Sequence, residues 1–243
     1  LTIRPSGGAA RVISGSAAAA LIKLNGADGV TIDGLNTGGN SLSITNTNTA
    51  SGTAAIWLAS LGTGSGSTNN TIANTTIATG SNTANTWGIC VGGSTLCANG
   101  ADNDSNTIQG NTFNKALNGI VVVGTASTSS GAADGLSISS NIVGPATSGA
   151  NNLGLNGILI ANAVAPSLSG NTVSNVVSTT STVAGIALNG GVTNAVVTRN
   201  TVSSLSAAAS STTTYGIFVG TGSTGAQISR NTVSALVQTN TGG

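Results

Sequence analysis

The chain has 243 residues, a net charge of +1 and only 5% charged residues, with no Glu, His or Met. This excludes a basic surface able to hold a nucleic-acid backbone, and it removes the residues for Ser–His, Cys–His or His-ligated metal chemistry. β-Branched residues recur in register among Ser, Thr, Asn and Gly, which excludes a disordered chain, and the longest apolar runs, such as 119–124, are too short for a membrane span.

The chain opens on a strand-like run, Leu1-Thr2-Ile3, with neither a Met nor a signal segment, and closes on Thr239-Asn240-Thr241-Gly242-Gly243. It reads as a mature protein or as a piece of a longer one. Two loose copies of an alternating motif come first, Leu21-Ile22-Lys23-Leu24 and Ala55-Ile56-Trp57-Leu58. Five stricter copies follow: Gly88-Ile89-Cys90-Val91, Gly119-Ile120-Val121-Val122, Gly157-Ile158-Leu159-Ile160, Gly185-Ile186-Ala187-Leu188 and Gly216-Ile217-Phe218-Val219. A period of two makes each a short strand, with Ile and Val on one face.

A second motif interleaves with the first. Asn111, Asn141, Asn171, Asn200 and Asn231 recur at steps of 30, 30, 29 and 31 residues, each opening an Asn-Thr-Val-like run. An aliphatic residue stands three positions before each Asn: Ile108, Ile138, Leu168, Val197 and Ile228. Two further short strands flank the Asn, with Leu168 and Val173 pointing in and Ser169 and Thr172 pointing out. A fixed period of this size means stacked copies of one unit that cannot bury its apolar face alone. The expected fold is all-β: a right-handed parallel β-helix of about seven rungs, each of roughly 30 residues and three short strands. Rungs stack about 4.8 Å apart, giving a rod on the order of 35 Å long. One solenoid domain spans residues 1–243, with atypical N-terminal rungs over 1–50 and regular rungs over 51–243. The recurrent Asn suits a sharp corner, because Asn tolerates the left-handed backbone region, and its side chains can bond along the column.

The alternation of Gly-Ile-x-Val with Ile-x-x-Asn-Thr-Val over residues 20–243 resembles the right-handed parallel β-helix repeats of pectin-lyase-like proteins. The first 48 residues, including Leu24-Asn25-Gly26-Ala27-Asp28-Gly29-Val30-Thr31-Ile32, look like the opening of such domains in very large secreted bacterial surface proteins. The resemblance implies a fold. It implies little about activity, because that family holds lyases, hydrolases, tailspikes, adhesins and proteins without catalysis.

Candidate chemistry is sparse. Cys90 and Cys97 flank a loop containing Gly92-Gly93 and read as a local disulfide of a secreted protein, with two free thiols as the alternative. Asp28, Asp104 and Asp134 each stand four residues before an inward Ile, so Asp104 and Asp134 should lie on adjacent rungs, with Asp102 beside them. Three readings stay open: Asp caps at turns, a Ca²⁺ site of Asp102, Asp104, Asn106 and Asp134, or a carboxylate pair for glycoside hydrolysis with Lys115 as its basic partner. Arg199 and Arg230 should stack as solvated surface, or as a contact for an acidic glycan. Thr172/Ser174, Thr201/Ser203 and Thr232/Ser234 form an outward hydroxyl array that could meet ice or glycan, but the pattern breaks at Ile142/Gly144.

The outward column of the Gly-Ile-x-Val strand is apolar rather than polar: Trp57, Val121, Leu159 and Phe218, with Lys23, Cys90 and Ala187. Such a stripe is covered by the protein's own loops, for example 174–184 or 203–215, or by another subunit. Neither end offers a capping helix or a charged, Pro-bearing edge. The leading expectation is therefore a non-enzymatic extracellular β-solenoid at the cell surface, stacking head to tail into a fibre or forming a stalk or adhesin. A polysaccharide-active β-helix and a glycan- or ice-binding module are the alternatives.

Overall fold

The computed structural model describes residues 1–128, 130–209 and 211–239, so Asn240–Gly243 of the closing run lie outside the described residues. Every helix or strand named among them is a β-strand, and the strands stack in parallel into three long sheets. The turn from 156 to 174 illustrates the build. Asn156–Ala161 lies in a seven-stranded sheet C, Ser167–Ser169 in an eight-stranded sheet A, and Thr172–Ser174 in a nine-stranded sheet B. A fourth, three-stranded sheet joins Ala133–Asp134, Ala163–Val164 and Val192–Thr193 between sheets C and A.

The result is a parallel β-helix of about eight turns with roughly 31 residues per turn. The expected seven rungs correspond to sheet C alone. Thr2–Ile3 and Ala10–Gly15 add a partial first turn, whose sequence carries neither motif.

Registry follows the motifs. Ile32, Ile72, Ile108, Ile138, Leu168 and Val197 pair in one column, and all are essentially buried. Ile56, Ile89, Ile120, Ile158 and Ile186 make the matching column of sheet C, also at 0% exposure. The glycine before Ile89, Ile120, Ile158 and Ile186 marks where sheet C comes close to sheet B, and Ala55 takes its place before Ile56. A Cβ on Gly185 would lie 2.3 Å from Val202 Cγ1 and 2.7 Å from the Gly216 carbonyl oxygen, and Gly157 is as tight. No larger side chain fits there without moving a rung.

The corner between sheets A and B differs from the expectation in one respect. The left-handed residue is not the ladder Asn but the one before it: Gly110, Ser140, Gly170, Arg199 and Arg230, with φ between 55° and 64°. This frees the Asn side chain to turn inward, where Asn111, Asn141, Asn171 and Asn200 are at most 1% exposed. Asn171 Oδ1 accepts from the backbone N–H of Asn141 at 3.0 Å and from its Nδ2 at 2.9 Å. Its own Nδ2 donates to Asn200 Oδ1 and to the Ile138 carbonyl, each at 2.9 Å. Both lone pairs and both donors of the amide are thus used, as a buried amide requires.

The ends are not alike. Core columns surface at the last turn, where Ile228 and Val233 are 44% and 43% exposed. The first turn carries Arg4-Pro5 and Arg11, so the expectation of an edge without charge or proline fails at that end.

Replacing Asn171 by Leu fills the same space but leaves two donors of Asn141 buried without acceptors. We expect a loss of about 2–5 kcal/mol in urea unfolding, and a clearly smaller loss for Asn231→Leu, which ends the ladder and is only half-buried.

Candidate functional site

Three features carry functional potential: a carboxylate cleft, an outer apolar face and rows of exposed hydroxyls. The cleft lies where loops enter sheet A. Asp28 Oδ1 accepts from the Thr68 backbone N–H at 2.8 Å and from its hydroxyl at 2.9 Å. Asp104 Oδ1 accepts from the Asp134 N–H at 2.8 Å, one rung on, and Asp102 Oδ2 accepts from the Gly64 N–H at 2.6 Å. Each of these bonds crosses to another rung, so the carboxylates tie neighbouring loops together rather than cap their own turns. Asp28, Asp102 and Asp104 line an open cleft of about 600 Å³ with Leu61, Gly64 and Thr68. Burial raises the Asp104 carboxyl above the ordinary 3.8, the Asp134 N–H works against that shift, and the neighbouring Asp102 charge adds to it.

The structure brings together only part of the expected Ca²⁺ set. Asn106 is fully buried and faces inward. Its Oδ1 accepts two donors of Asn70, at 3.0 and 3.1 Å, and its Nδ2 donates to the Ser67 and Asn103 carbonyls. It serves a second, shorter amide ladder that also ties Asn70 to Val30 and Asn103 to Ser67. Asp134 does not line the cleft. Among the described residues no group of three His, Cys, Asp or Glu is placed to hold a metal. Lys115 lines a different groove, with Thr45, Thr79 and Asn114, so the proposed hydrolytic pair lacks its basic partner.

The outer apolar face of sheet C is largely covered from within the chain. Trp57 and Val121 are each 5% exposed and Cys90 is fully buried, in a cluster completed by Trp87, Leu96 and Cys97. The cover is the loop joined by the Cys90–Cys97 disulfide, with Cα atoms 5.7 Å apart. Neither 174–184 nor 203–215 contributes to this cluster. The loop returns directly over the strand backbone: a Cβ on Gly100 would lie 2.1 Å from the Gly92 carbonyl carbon. Lys23 Nζ sits 3.8 Å from the centre of the Trp57 ring and closes the cluster towards the N-terminal end. Leu159 and Phe218, farther along the column, are half-buried, and Phe218 packs against Tyr215 with ring centres 4.9 Å apart.

Hydroxyls run in register along sheet B, exposed in the threonine row and half-buried at Ser174 and Ser203. Thr172, Thr201 and Thr232 pair in one row, and Ser174, Ser203 and Ser234 in the next. Ile142, 48% exposed, interrupts the first row towards the N-terminus. Arg199 and Arg230 stand exposed at consecutive corners. Sequence reasoning missed the cleft-forming loop of Leu61, Gly64 and Ser65, which no motif marks. It also missed Asn70 and gave Asn106 a ligand's role instead of a ladder position, although Asn-Thr-Ile recurs at 70–72 and 106–108.

No protein-family model matches the chain, and no curated protein matches it by sequence. Among solved structures it is similar to PfbA, a surface adhesin of Streptococcus pneumoniae, at 13% identity and a TM-score of 0.36, over 91% of this chain and 73% of that one.

Two outcomes follow from the geometry. A raised native carboxyl binds its proton more tightly than the unfolded chain does, so stability falls as pH rises from 3.8 through the native Asp104 value. Asp104→Asn keeps the oxygen that caps Asp134 and removes this term; urea unfolding should show the variant gaining on the wild type as pH rises across that window. Opening the disulfide by Cys90→Ser and Cys97→Ser should cost about 2–3 kcal/mol by loop entropy. It should also expose Trp57, read as stronger acrylamide quenching of tryptophan fluorescence.

Proposed function

We propose that the chain is a structural segment of an extracellular protein: a stiff β-solenoid spacer of a cell-surface stalk or adhesin. The observation that carries this reading is the continuous inward amide ladder, in which Asn111, Asn141, Asn171 and Asn200 each bond to the next rung and hold the shaft from inside. The Cys90–Cys97 disulfide supports an oxidising location. The carboxylates support a structural role, since Asp28, Asp102 and Asp104 each accept from a backbone N–H.

Head-to-tail stacking of copies into a fibre is the second reading. It is favoured by the apolar residues of the first turn, Ile3 and Ile13, which occupy the columns of Ile228 and Val233. Antibodies raised against the chain should label intact cells of the source organism, or fibres released from them. Labelling that appears only after lysis would overturn the extracellular reading.

A further inference from the structure

The chain holds five Asn-Gly steps, at Asn25, Asn99, Asn118, Asn156 and Asn189. Such a step is chemically fragile, because glycine has no Cβ to keep its nitrogen from the preceding side-chain carbonyl. The reaction needs three things at once. The side-chain amide must be open to water, the glycine N–H must be free of a hydrogen bond, and the backbone must let the two meet.

The fold withholds at least one of these at four of the steps. Asn118 and Asn156 lie in strands of sheet C and are only 4% and 9% exposed. Asn156 Nδ2 also donates to Asn118 Oδ1 at 2.8 Å. Asn25 and Asn99 are exposed, but the nitrogen that would attack is committed. The Gly26 N–H donates to the Ala59 carbonyl at 2.8 Å, and the Gly100 N–H to the Val123 carbonyl at 2.9 Å.

Asn189 differs in all three respects. It follows the strand Val183–Leu188 and is exposed. Neither its side-chain amide nor the Gly190 N–H has a hydrogen-bond partner among the described residues. Gly190 takes φ +111° and Gly191 φ +62°, so the backbone bends there as glycine alone permits. The outer groups of the step are nevertheless held. The Asn189 N–H donates to the Ile160 carbonyl at 2.7 Å, and the Gly190 carbonyl accepts from the Asn162 N–H at 3.0 Å. The step is anchored at both ends and free at the two groups that react.

We infer that Asn189 is a site of spontaneous deamidation, selected by the fold from the five. Hydroxide takes the proton from the Gly190 nitrogen, which forms a bond to Asn189 Cγ. The Cγ–Nδ2 bond breaks and the amide leaves as ammonia. Water then opens the five-membered imide. Attack at Cγ gives aspartate, and attack at the main-chain carbonyl gives isoaspartate. Either product adds one carboxylate and takes the formal net charge from +1 to zero. The isoaspartyl form also inserts one carbon into the main chain between the bonds to Ile160 and Asn162, which loosens that turn of the shaft. This inference stands independently of the spacer reading.

Fragment-ion mass spectrometry of digests, taken as the folded chain ages in mildly alkaline buffer, tests it. Conversion at Asn189 should outrun each of the other four steps by about tenfold or more, because those react only after local opening. In urea the five should convert at comparable rates. Asn189→Gln should remove the acidic species that ion exchange resolves from the aged wild type, since glutamine would have to close a larger ring. Equal rates at all five steps in the folded chain would overturn the inference. So would an Asn189 as durable as Asn118 and Asn156, or an acidic species that survives Asn189→Gln.

Discussion

Everything in this rod depends on one constraint: a buried amide must find both its donors and its acceptors a partner on the neighbouring turn. The strands of sheet A are only two or three residues long, too short to hold a register by themselves. The ladder supplies it. A slip of one residue would take Asn171 Oδ1 away from Asn141 and move Leu168 and Val173 off the core face at once. Hydrogen bonding and burial therefore select the same stacking, and neither is sufficient in strands this short.

The same economy explains the surface. With the shaft held from inside, outward positions are free to be Ser and Thr, and the chain needs few ion pairs to specify its shape. Where the outward column turns apolar, the chain provides its own cover. The Cys90–Cys97 loop lies on Trp57 and Val121, and the glycines at 92, 93 and 100 let two backbones run in contact. The half-buried Leu159 packs against the edge of that covered cluster, and the half-buried Phe218 lies beyond it.

Much of this was legible in the sequence because the period is strict. The spacing of Ile108, Ile138 and Leu168 placed the core column residue by residue, and the Gly-Ile-x-Val runs placed sheet C. The corner was only half legible. A left-handed residue was expected at Asn, yet the backbone puts it on Arg199 or Ser140 because the amide is worth more inside than at the bend. Asn106 was misread for a related reason. Its acidic neighbours suggested a ligand, whereas its place one residue before Thr107-Ile108 puts it at a second inward corner. The cover of Trp57 could not be read at all, because the loop that provides it is outside the repeat and its path depends on backbone contacts rather than on pattern.

The one-way run of the ladder gives the rod a polarity that bears on how it forms. Donors on each finished turn point towards the C-terminal side and wait for an oxygen that the chain has yet to supply. Synthesis delivers a chain from its N-terminus, so each emerging rung meets a turn that lacks only what that rung carries. Nearest-neighbour coupling lets folding start at any turn and spread to its neighbours in small steps. A lost ladder oxygen in the middle would weaken that coupling at one turn and divide the shaft into two blocks joined by a poorer interface.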